Sequence, residues 1–311
     1  MLSSNIGLIF AGQGSQFPGM GKSLAEAFPE AREAFDEADS ALGEKLSTLC
    51  FSGPQALLDD TLNAQPAVLT CSVAIWRVVS SRVPVQPIAA AGHSLGQYSA
   101  LVAAGAMDLA SAVRLVRRRA QLMASAGPGT GMLVVLGLAD ADVESLCAEA
   151  AAISGASLSV ANYNCPGQVV LAGQDAALSS ASELAQQRGA KLAARLALSA
   201  ASHTPLLEAA VAPLAEALAA TRISRPSFPV AGSAAHDWLV SPDDVREDLA
   251  RQIVAPLRWP AMVTRLANRG AEVLLELSPK PVLAGLCRRL TGLPPVRSIS
   301  KAEDISALQQ A

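Results

Sequence analysis

Charged residues are scarce in this chain of 311 residues: they make up 16% of it, whereas hydrophobic residues make up 51%. The 24 basic and 27 acidic residues nearly balance, giving a formal net charge of −3. No basic stripe with interleaved aromatic residues occurs, so we expect no nucleic-acid partner. The hydrophobic share is large enough to bury one extensive core, or a large domain that carries a smaller insert.

Cysteine is also rare and its spacing is uninformative. The five cysteines are odd in number and never closer than 18 residues: Cys50, Cys71, Cys147, Cys165 and Cys287. This is neither the spacing of a metal site nor a disulfide framework, so we interpret them as reduced core thiols. We therefore expect no metal and no cofactor.

Long hydrophobic runs are missing as well. The apolar run Ile6–Ala11 is too short for a signal peptide and no basic region precedes it. The charge-free stretch Val83–Met107 contains Pro, Gly, His, Gln and Ser, which excludes a membrane span. We expect a cytoplasmic monomer with no membrane partner.

The order of the predicted elements indicates an α/β fold. Ile6–Ala11 has the length of a buried strand and ends at Gly12-Gln13-Gly14-Ser15-Gln16, where a Gly-rich loop would expose backbone N–H groups to a ligand. A second core strand is predicted at Pro87–Gly92, and Ala100–Ala104 begins the helix after it. A further helix is predicted to begin after Asp108, which is its N-cap, and a further strand is predicted at Ala271–Leu277. The remaining helices are predicted at Lys22–Leu42, Gln65–Arg82, Pro205–Ala220 and Asp243–Ile253.

A middle segment changes rhythm after the turn at Gly127–Gly131. Its pattern is strand, helix, strand, strand, helix, strand: Met132–Leu138, Asp140–Ile153, Ser157–Tyr163, Gln168–Ala172, Asp175–Arg188 and Lys191–Leu198. This is the ferredoxin-like order. We predict a main domain at 1–129 and 199–311, and an inserted ferredoxin-like subdomain at 130–198.

The segment Gly92-His93-Ser94-Leu95-Gly96 lies between a predicted strand and a predicted helix. This is the setting of a nucleophile elbow, in which glycines permit a tight turn and the serine adopts a strained backbone conformation. Ser94 is thus a candidate nucleophile, and the N–H of Leu95 would point at the oxyanion formed on attack. The alternative is that Ser94 is only a small residue that fits a tight bend and has no catalytic role.

A nucleophilic serine needs a base, and the chain has only three histidines. His93 would point away from Ser94 if the backbone there is extended. His203 lies just ahead of a predicted helix in the second half of the chain, which suits a general base. For His93 and His236 we favour a structural role, in which the imidazole forms its hydrogen bonds in the core or at the surface.

Four arginines follow the elbow on the next predicted helix: Arg114, Arg117, Arg118 and Arg119. On a helical wheel Arg118 and Arg114 lie away from the apolar stripe and should be solvated. Arg117 and Arg119 lie near its two borders, where an arginine can fold inward and bind a carboxylate bidentately. The wheel does not choose between the two borders.

Together these residues resemble the malonyl-CoA:acyl-carrier-protein transacylases of fatty-acid and polyketide synthesis. The resemblance runs nearly end to end, through Gly12-Gln13-Gly14-Ser15-Gln16, Gln65-Pro66-Ala67, Gly92-His93-Ser94-Leu95-Gly96, Arg119, Asn162-Tyr163-Asn164-Cys165-Pro166-Gly167-Gln168, Ser202-His203 and Arg251-Gln252-Ile253. It implies an α/β-hydrolase-like core with a ferredoxin-like insert. It also implies ping-pong transfer of malonyl from malonyl-CoA to acyl carrier protein, through an ester on the serine.

The resemblance implies a role for each matching residue. Ser94 would be the malonylated nucleophile, His203 its base, and Gln252 the group that steadies the histidine in the substrate site. The N–H groups of Gln13 and Leu95 would form the oxyanion hole.

Three more positions would bind the acyl group. Arg119 would hold the malonyl carboxylate, Gln65 would line the pocket, and Asn162 would contact substrate.

The sequence departs from the family pattern at four places. Gln97 stands where the family usually has Glu, and Ala11 replaces a common Pro. Val230–His236 lacks an Asn-x-Asp, which puts the bracing of the His203 loop in doubt. Small residues at 200–202 leave open whether a branched extender such as methylmalonyl is also accepted.

Two alternative functions remain open at this point. One is a serine esterase or thioesterase that uses Ser94 with His236 and an acid between them. The other is the malonyl-transferring subunit of a malonate decarboxylase. Carrier proteins are usually acidic, so we regard five basic residues as docking candidates: Arg188, Lys191, Arg195, Arg288 and Arg289.

Overall fold

The computed structural model of the chain describes residues 5–125, 129–196 and 200–309. Its strands are β1 Ile6–Phe10, β2 Pro87–Gly92, β3 Thr130–Leu136, β4 Leu158–Cys165, β5 Gln168–Gln174, β6 Leu192–Arg195, β7 Val230–Ala231, β8 Trp238–Leu239, β9 Leu257–Arg258, β10 Val273–Leu277 and β11 Val296–Ile299. They form a mixed α/β fold with two sheets. Among the described residues, no helix combines the length and the apolar character that crossing a bilayer requires.

The helices surround these sheets. They are α1 Lys22–Ala27, α2 Pro29–Leu42, α3 Leu46–Ser52, α4 Gln55–Asp59, α5 Thr61–Arg82, α6 Gly96–Ala103, α7 Leu109–Ala124, α8 Asp140–Ser154, α9 Asp175–Gln187, α10 Glu208–Ala220, α11 Pro242–Gln252, α12 Trp259–Asn268, α13 Leu283–Cys287 and α14 Ala302–Gln309. A short 3-10 helix, Pro205–Leu207, precedes α10.

The larger sheet has the strand order β11-β10-β1-β2-β7-β8. All neighbours in it are parallel except β7 and β8. Its central strand β1 is buried along its whole length, because helices cover both faces and leave no solvated side. Leu8 and Phe10 face one hydrophobic cluster, while Ile9 between them faces another. The carboxyl ends of β1 and β2 therefore emerge side by side from a rigid core.

The smaller sheet has the order β6-β3-β5-β4-β9. Its first four strands are antiparallel, and the short β9 joins β4 in parallel. Helices α8 and α9 pack on one face, and a small cluster that includes Met132 and Ala201 covers the other. This second face carries residues of β3, β4 and β5 toward the end of the larger sheet, where the cavity described below lies.

Most predicted elements are confirmed, with shifts at their ends. The strand Pro87–Gly92 is confirmed at both ends, and Asp108 caps α7 by accepting from the N–H of Ser111. The elements between 130 and 196 occur in the predicted order. The turn residues 126–128, the end of the strand predicted to reach Leu198, and the resumption of the main domain at Ser199 lie outside the described residues.

Three helix boundaries were predicted wrongly. The helix predicted over 22–42 is two helices, because Pro29 disfavours helical backbone at the preceding Phe28, which is extended. Helix α5 begins four residues earlier than expected because the Asp60 side chain caps it by accepting from the N–H of Leu62. Helix α6 begins at Gly96, directly at the turn that contains Ser94.

Candidate active site

Ser94 lies on the sharp turn between β2 and α6, with a backbone φ of 52°. A non-glycine residue in this left-handed region is strained, as expected for an elbow. Both flanking glycines are required for close approach. A Cβ on Gly92 would lie 2.0 Å from the carbonyl carbon of Gly96, and one on Gly96 would lie 2.1 Å from the carbonyl oxygen of Phe10. The backbone of the turn thus packs directly against the carboxyl end of β1.

His203 reaches this serine across 109 residues of chain, with Nε2 2.8 Å from Ser94 Oγ. Its Nδ1 lies 2.8 Å from the carbonyl oxygen of Gln252 and 3.2 Å from that of Ala255. Both are acceptors, so Nδ1 carries the proton and Nε2 presents its lone pair to the serine. Burial, with the nearby charge of Arg119, lowers the pKa of His203 to about 3. The imidazole is therefore neutral near pH 7 and able to accept the serine proton.

Arg119 is 1% exposed, and it is the border arginine that folds inward. Its Nη1 donates to Gln65 Oε1 at 2.6 Å. Its Nη2 donates to Ser94 Oγ and to Gln252 Oε1, both at 3.1 Å. Within the described ranges no carboxylate forms a salt bridge with Arg119, and burial lowers its pKa. A buried cation held by neutral oxygens is suited to receive an anionic ligand.

The other three arginines of α7 lie at or near the protein surface. Arg114 and Arg118 are exposed, as predicted. Arg117, at the opposite border from Arg119, forms a salt bridge with Glu44 near the surface. Which border arginine turns inward is decided by partners outside α7: Glu44, in the loop after α2, binds Arg117, and Gln65 and Gln252 bind Arg119.

A cavity of about 200 Å³ opens beside Ser94, His203 and Arg119. Gln13 and Leu95 belong to its wall, and neither of their backbone N–H groups donates to another described residue. Both groups are thus available to an oxyanion, and their role as the oxyanion hole stays a prediction. The Gln13 side chain is turned to Thr61, whose hydroxyl donates to its Oε1 at 3.0 Å.

Asn162 on β4 forms part of the cavity wall from the side of the smaller sheet. It is buried, and its Oδ1 has no hydrogen-bond partner among the described residues. The structure thus places Asn162 beside the cavity, and its contact with substrate stays a prediction.

Gln65 and Gln252 are placed differently from what the sequence predicted. Both are buried and neither belongs to the cavity wall. The expectation that Gln65 lines the pocket is wrong, because Arg119 occupies its oxygen and its amide donates to Thr61 Oγ1 at 2.9 Å. Gln252 steadies His203 through its backbone carbonyl rather than its side chain.

The remaining histidines do not reach the nucleophile. His93 Nε2 pairs with Asn164 Oδ1 at 2.9 Å, and burial lowers its pKa. His93 does line the cavity, so it is a satisfied residue of the wall rather than a distant one. His236 Nε2 lies 3.1 Å from Glu247 Oε2, outside the cavity, which argues against the esterase arrangement that would use it.

Several residues of the network escaped the sequence analysis. Thr61 precedes Gln65 by one helical turn, and Asp248 precedes Gln252 by one helical turn, so an i, i+4 search from the glutamines would have found both. Gln97, noticed only as a departure, bonds with Gln252. The described residues contain no cluster of ligating side chains suited to a metal.

This geometry supports acyl transfer through a serine ester. The serine has a base within hydrogen-bond distance, shares its cavity with two available N–H donors, and lies beside a buried cation that would bind an acid group on the acyl chain. Neither a metal nor a redox group is required for that chemistry.

Comparison with known proteins agrees with this chemistry. The family model of the acyl transferase domain matches residues 8–306. The chain is 40% identical over 284 residues, 91% of each chain, to a malonyl CoA-acyl carrier protein transacylase of Escherichia coli strain K12. Its fold resembles the crystal structure of malonyl-CoA:acyl carrier protein transacylase from Xanthomonas oryzae pv. oryzae, with TM-score 0.95, 38% identity, and 100% and 99% of the two chains covered.

One further structural relative contains a carrier protein. It is a structure of a type II PKS acyl-carrier protein in complex with its malonyl-transacylase. The TM-score is 0.94 with 38% sequence identity, and 99% of each chain is covered.

Proposed function

Because the chain belongs to the acyl transferase family, we propose that it is an acyl-carrier-protein S-malonyltransferase. It transfers malonyl from malonyl-CoA to the phosphopantetheine thiol of an acyl carrier protein. The observation that carries this function is the meeting of Ser94, His203 and the carboxylate-free Arg119 at one cavity.

The first half-reaction forms the serine ester. As Ser94 Oγ attacks the thioester carbon, its proton passes to His203 Nε2, 2.8 Å away. The N–H groups of Gln13 and Leu95 stabilise the oxyanion of the tetrahedral intermediate, each by about 3 kcal/mol. When the intermediate collapses the carbon–sulfur bond breaks, and His203 returns the proton to the CoA sulfur. The products are malonyl-Ser94 and free CoA.

Arg119 selects malonyl over acetyl. Its Nη2 lies 3.1 Å from Ser94 Oγ, so it lies within reach of an acid group on the esterified chain. A carboxylate there pairs with the buried cation. An acetyl group would leave the guanidinium buried and unpaired, which is unfavourable.

The second half-reaction releases the acyl group to the carrier. The pantetheine thiol gives its proton to His203 Nε2 as its sulfur attacks the ester, and Ser94 recovers its proton when the intermediate collapses. The bound malonyl group and Arg119 exclude water beside the ester, which favours transfer over hydrolysis. We assign Asn162 as a contact for the pantetheine arm, because it belongs to the cavity wall on the side of the smaller sheet.

The subdomain organisation and location follow as part of the same proposal. The larger sheet with its helices is assigned as an α/β-hydrolase-like core, residues 1–129 and 199–311, and residues 130–198 as a ferredoxin-like subdomain. The antiparallel order β6-β3-β5-β4 supports the second assignment. We assign the protein to the cytoplasm, where malonyl-CoA and carrier protein would be available to it.

Among the basic docking candidates, we favour Arg288 and Arg289. Arg188 and Arg195 are paired with Glu149 and Asp175. Arg288 and Arg289 are exposed, and Arg289 bonds to the carbonyl of Pro166 beside Gln168 of the cavity wall. A carrier docked there would have its prosthetic arm near the cavity.

The experiment is to incubate the protein with acetyl-, malonyl- and methylmalonyl-CoA and to measure the intact mass before and after adding carrier protein. We expect a malonyl adduct that is absent from Ser94→Ala and disappears when holo carrier protein is added. An adduct that is discharged only by water would indicate an esterase. One that persists with every carrier protein but is discharged by another thiol prosthetic group would indicate a decarboxylase subunit.

A further inference from the structure

A buried carboxylate, that of Asp248, lies behind the active site and belongs to its hydrogen-bond network. Asp248 on α11 is 0% exposed, and in the described part of the chain it forms no salt bridge. All of its neighbours donate: Oδ2 accepts from Gln97 Nε2 at 2.8 Å and from the N–H of Ser233 at 3.0 Å, and Oδ1 accepts from the N–H groups of residues 234, 235 and 236 at 2.9, 2.8 and 3.2 Å. Asp248 is therefore a terminal acceptor.

At the other end of the same network is a residue that can only donate. Arg119 Nη2 donates to Gln252 Oε1, so the oxygen of that amide faces the arginine. The amide nitrogen of Gln252 then points the other way and donates to the carbonyl oxygen of Ser94, at 3.1 Å, and to Gln97 Oε1. Arg119 thus determines the orientation of Gln252.

Gln97 connects the two ends and needs both halves of its amide. Its Oε1 accepts from Gln252 and from Ser233 Oγ, the latter at 2.8 Å, while its Nε2 donates to Asp248. A glutamate here could accept from Gln252 but would face Asp248 as a second buried carboxylate, which is strongly unfavourable. The amide at position 97, which departs from the usual Glu, is thus matched to Asp248.

We propose that Gln97 and Asp248 are positioning residues, which lock Gln252 with its oxygen toward Arg119 and its amide toward the Ser94 turn. The inference rests on the proposed malonyl transfer and names residues that act in it without touching substrate. Asp248 also gathers the N–H groups of residues 233–236, so the same contact braces the segment that lacks the usual Asn-x-Asp. With this lock lost, Gln252 is free to turn its NH₂ group toward Arg119, and the guanidinium and the strained turn at Ser94 both lose a partner.

The test is a set of variants at the Gln97–Asp248 contact, assayed for the rate of malonylation of Ser94 and for the ratio of malonyl to acetyl transfer. Gln97→Glu is expected to lower kcat/KM for malonyl-CoA by about tenfold or more and to reduce the ratio, since bonds to charged groups are lost. Asp248→Ala alone measures the loss of the loop contacts. In the double variant Q97E/D248A, the introduced carboxylate accepts from Gln252 and Ser233 with no second carboxylate opposite, so we expect activity to recover above that of Q97E.

A matched control is available at the surface. Asn5 Nδ2 donates to Glu272 Oε1 at 3.3 Å, which is an amide–carboxylate pair in an exposed position at the amino ends of β1 and β10. Asn5→Asp should leave rate and selectivity unchanged, because water screens the two carboxylates. If Q97E matches N5D in both readouts, or if the double variant shows no recovery, the proposal is overturned.

Two further readouts keep the result decisive. Should Q97E not fold, Gln97→Met breaks the polarity of the network without adding charge. A Q97M protein with near-wild-type Tm and reduced malonyl selectivity supports the proposal, and one with wild-type selectivity overturns it. Failure of the wild-type protein to form a malonyl adduct would instead refute the proposed function.

Discussion

Replacement of Arg119 by Ala is the most direct test of how the active site selects its acyl group. In the native protein the guanidinium is 1% exposed and its described partners are neutral: Gln65, Gln252 and Ser94. A bound malonyl carboxylate adds charge-assisted hydrogen bonds, each worth about 1.5 to 3 kcal/mol. Two such bonds amount to about 3 to 6 kcal/mol, or a factor of about 10² to 10⁴ in kcat/KM.

The variant also removes the penalty that rejects acetyl. Without the cation, an acetyl group buries no unpaired charge, so acetyl transfer should rise or stay constant while malonyl transfer falls. The oxygens of Gln65 and Gln252 lose a donor, which lowers the stability of the variant as well. Arg119→Lys is the matched control, because it keeps the charge but not the planar fork, and we expect intermediate selectivity.

The assay is competition between malonyl-CoA and acetyl-CoA at equal concentration, with the Ser94 adducts resolved by intact mass. Thermal unfolding of each variant, monitored in parallel, establishes that the measured protein is folded. An R119A protein that is folded and still prefers malonyl by the native ratio would refute the assignment of Arg119 as the carboxylate-binding residue.

Three further predictions follow from the same geometry. His203→Ala should abolish adduct formation while His236→Ala retains most of it, and a reversed pattern would refute the choice of base. Thr61→Val should lower malonylation by about tenfold, because the bonds of the Thr61 hydroxyl to Gln65 and to Gln13 are lost, whereas Thr61→Ser should resemble wild type in the same assay. The pKa of His203 is about 3 in the folded protein and about 6.5 when unfolded, so the unfolded chain binds the proton more tightly. Protonation of His203 should thus lower the free energy of unfolding by about 2 kcal/mol between pH 7 and pH 5, and urea titrations should find the loss in His203→Gln smaller by that amount.

Sequence patterning predicted the local elements well because they depend on neighbours along the chain. The strand Pro87–Gly92 and the N-cap Asp108 are set by apolar runs and a short-range side-chain bond, both readable in sequence. The single helix expected over 22–42 failed because an apolar stripe continues past Phe28 and conceals the break at Pro29. The prediction gave more weight to the apolar periodicity than to the restriction that Pro29 places on the backbone of Phe28.

The active site was only partly predictable from sequence. Ser94 and Leu95 follow from the glycine-rich turn that carries them, whereas the role of Gln13 was implied by the family resemblance. The structure places all three at the cavity. The hydrogen-bond partners of Gln65 and Gln252 could not be predicted from local sequence, because an amide can donate or accept and its partners come from distant segments. Gln252 holds His203 with its backbone, a contact that no side-chain pattern reports.

By itself, the sequence determined the strained serine turn, the order of the elements and the residues that resemble a malonyl transfer site. Helical periodicity left Arg117 and Arg119 undecided and the family resemblance implied Arg119. The tertiary structure supplies the reason, because Glu44 holds the first at the surface and Gln65 and Gln252 hold the second inside. The tertiary structure also gives Gln97 its role. Gln97 donates to Asp248, 151 residues away, and is connected through Gln252 to Arg119. The physical reason is the same in both cases: the partner of a buried polar group is set by packing across the fold, and burial makes an unmatched partner costly.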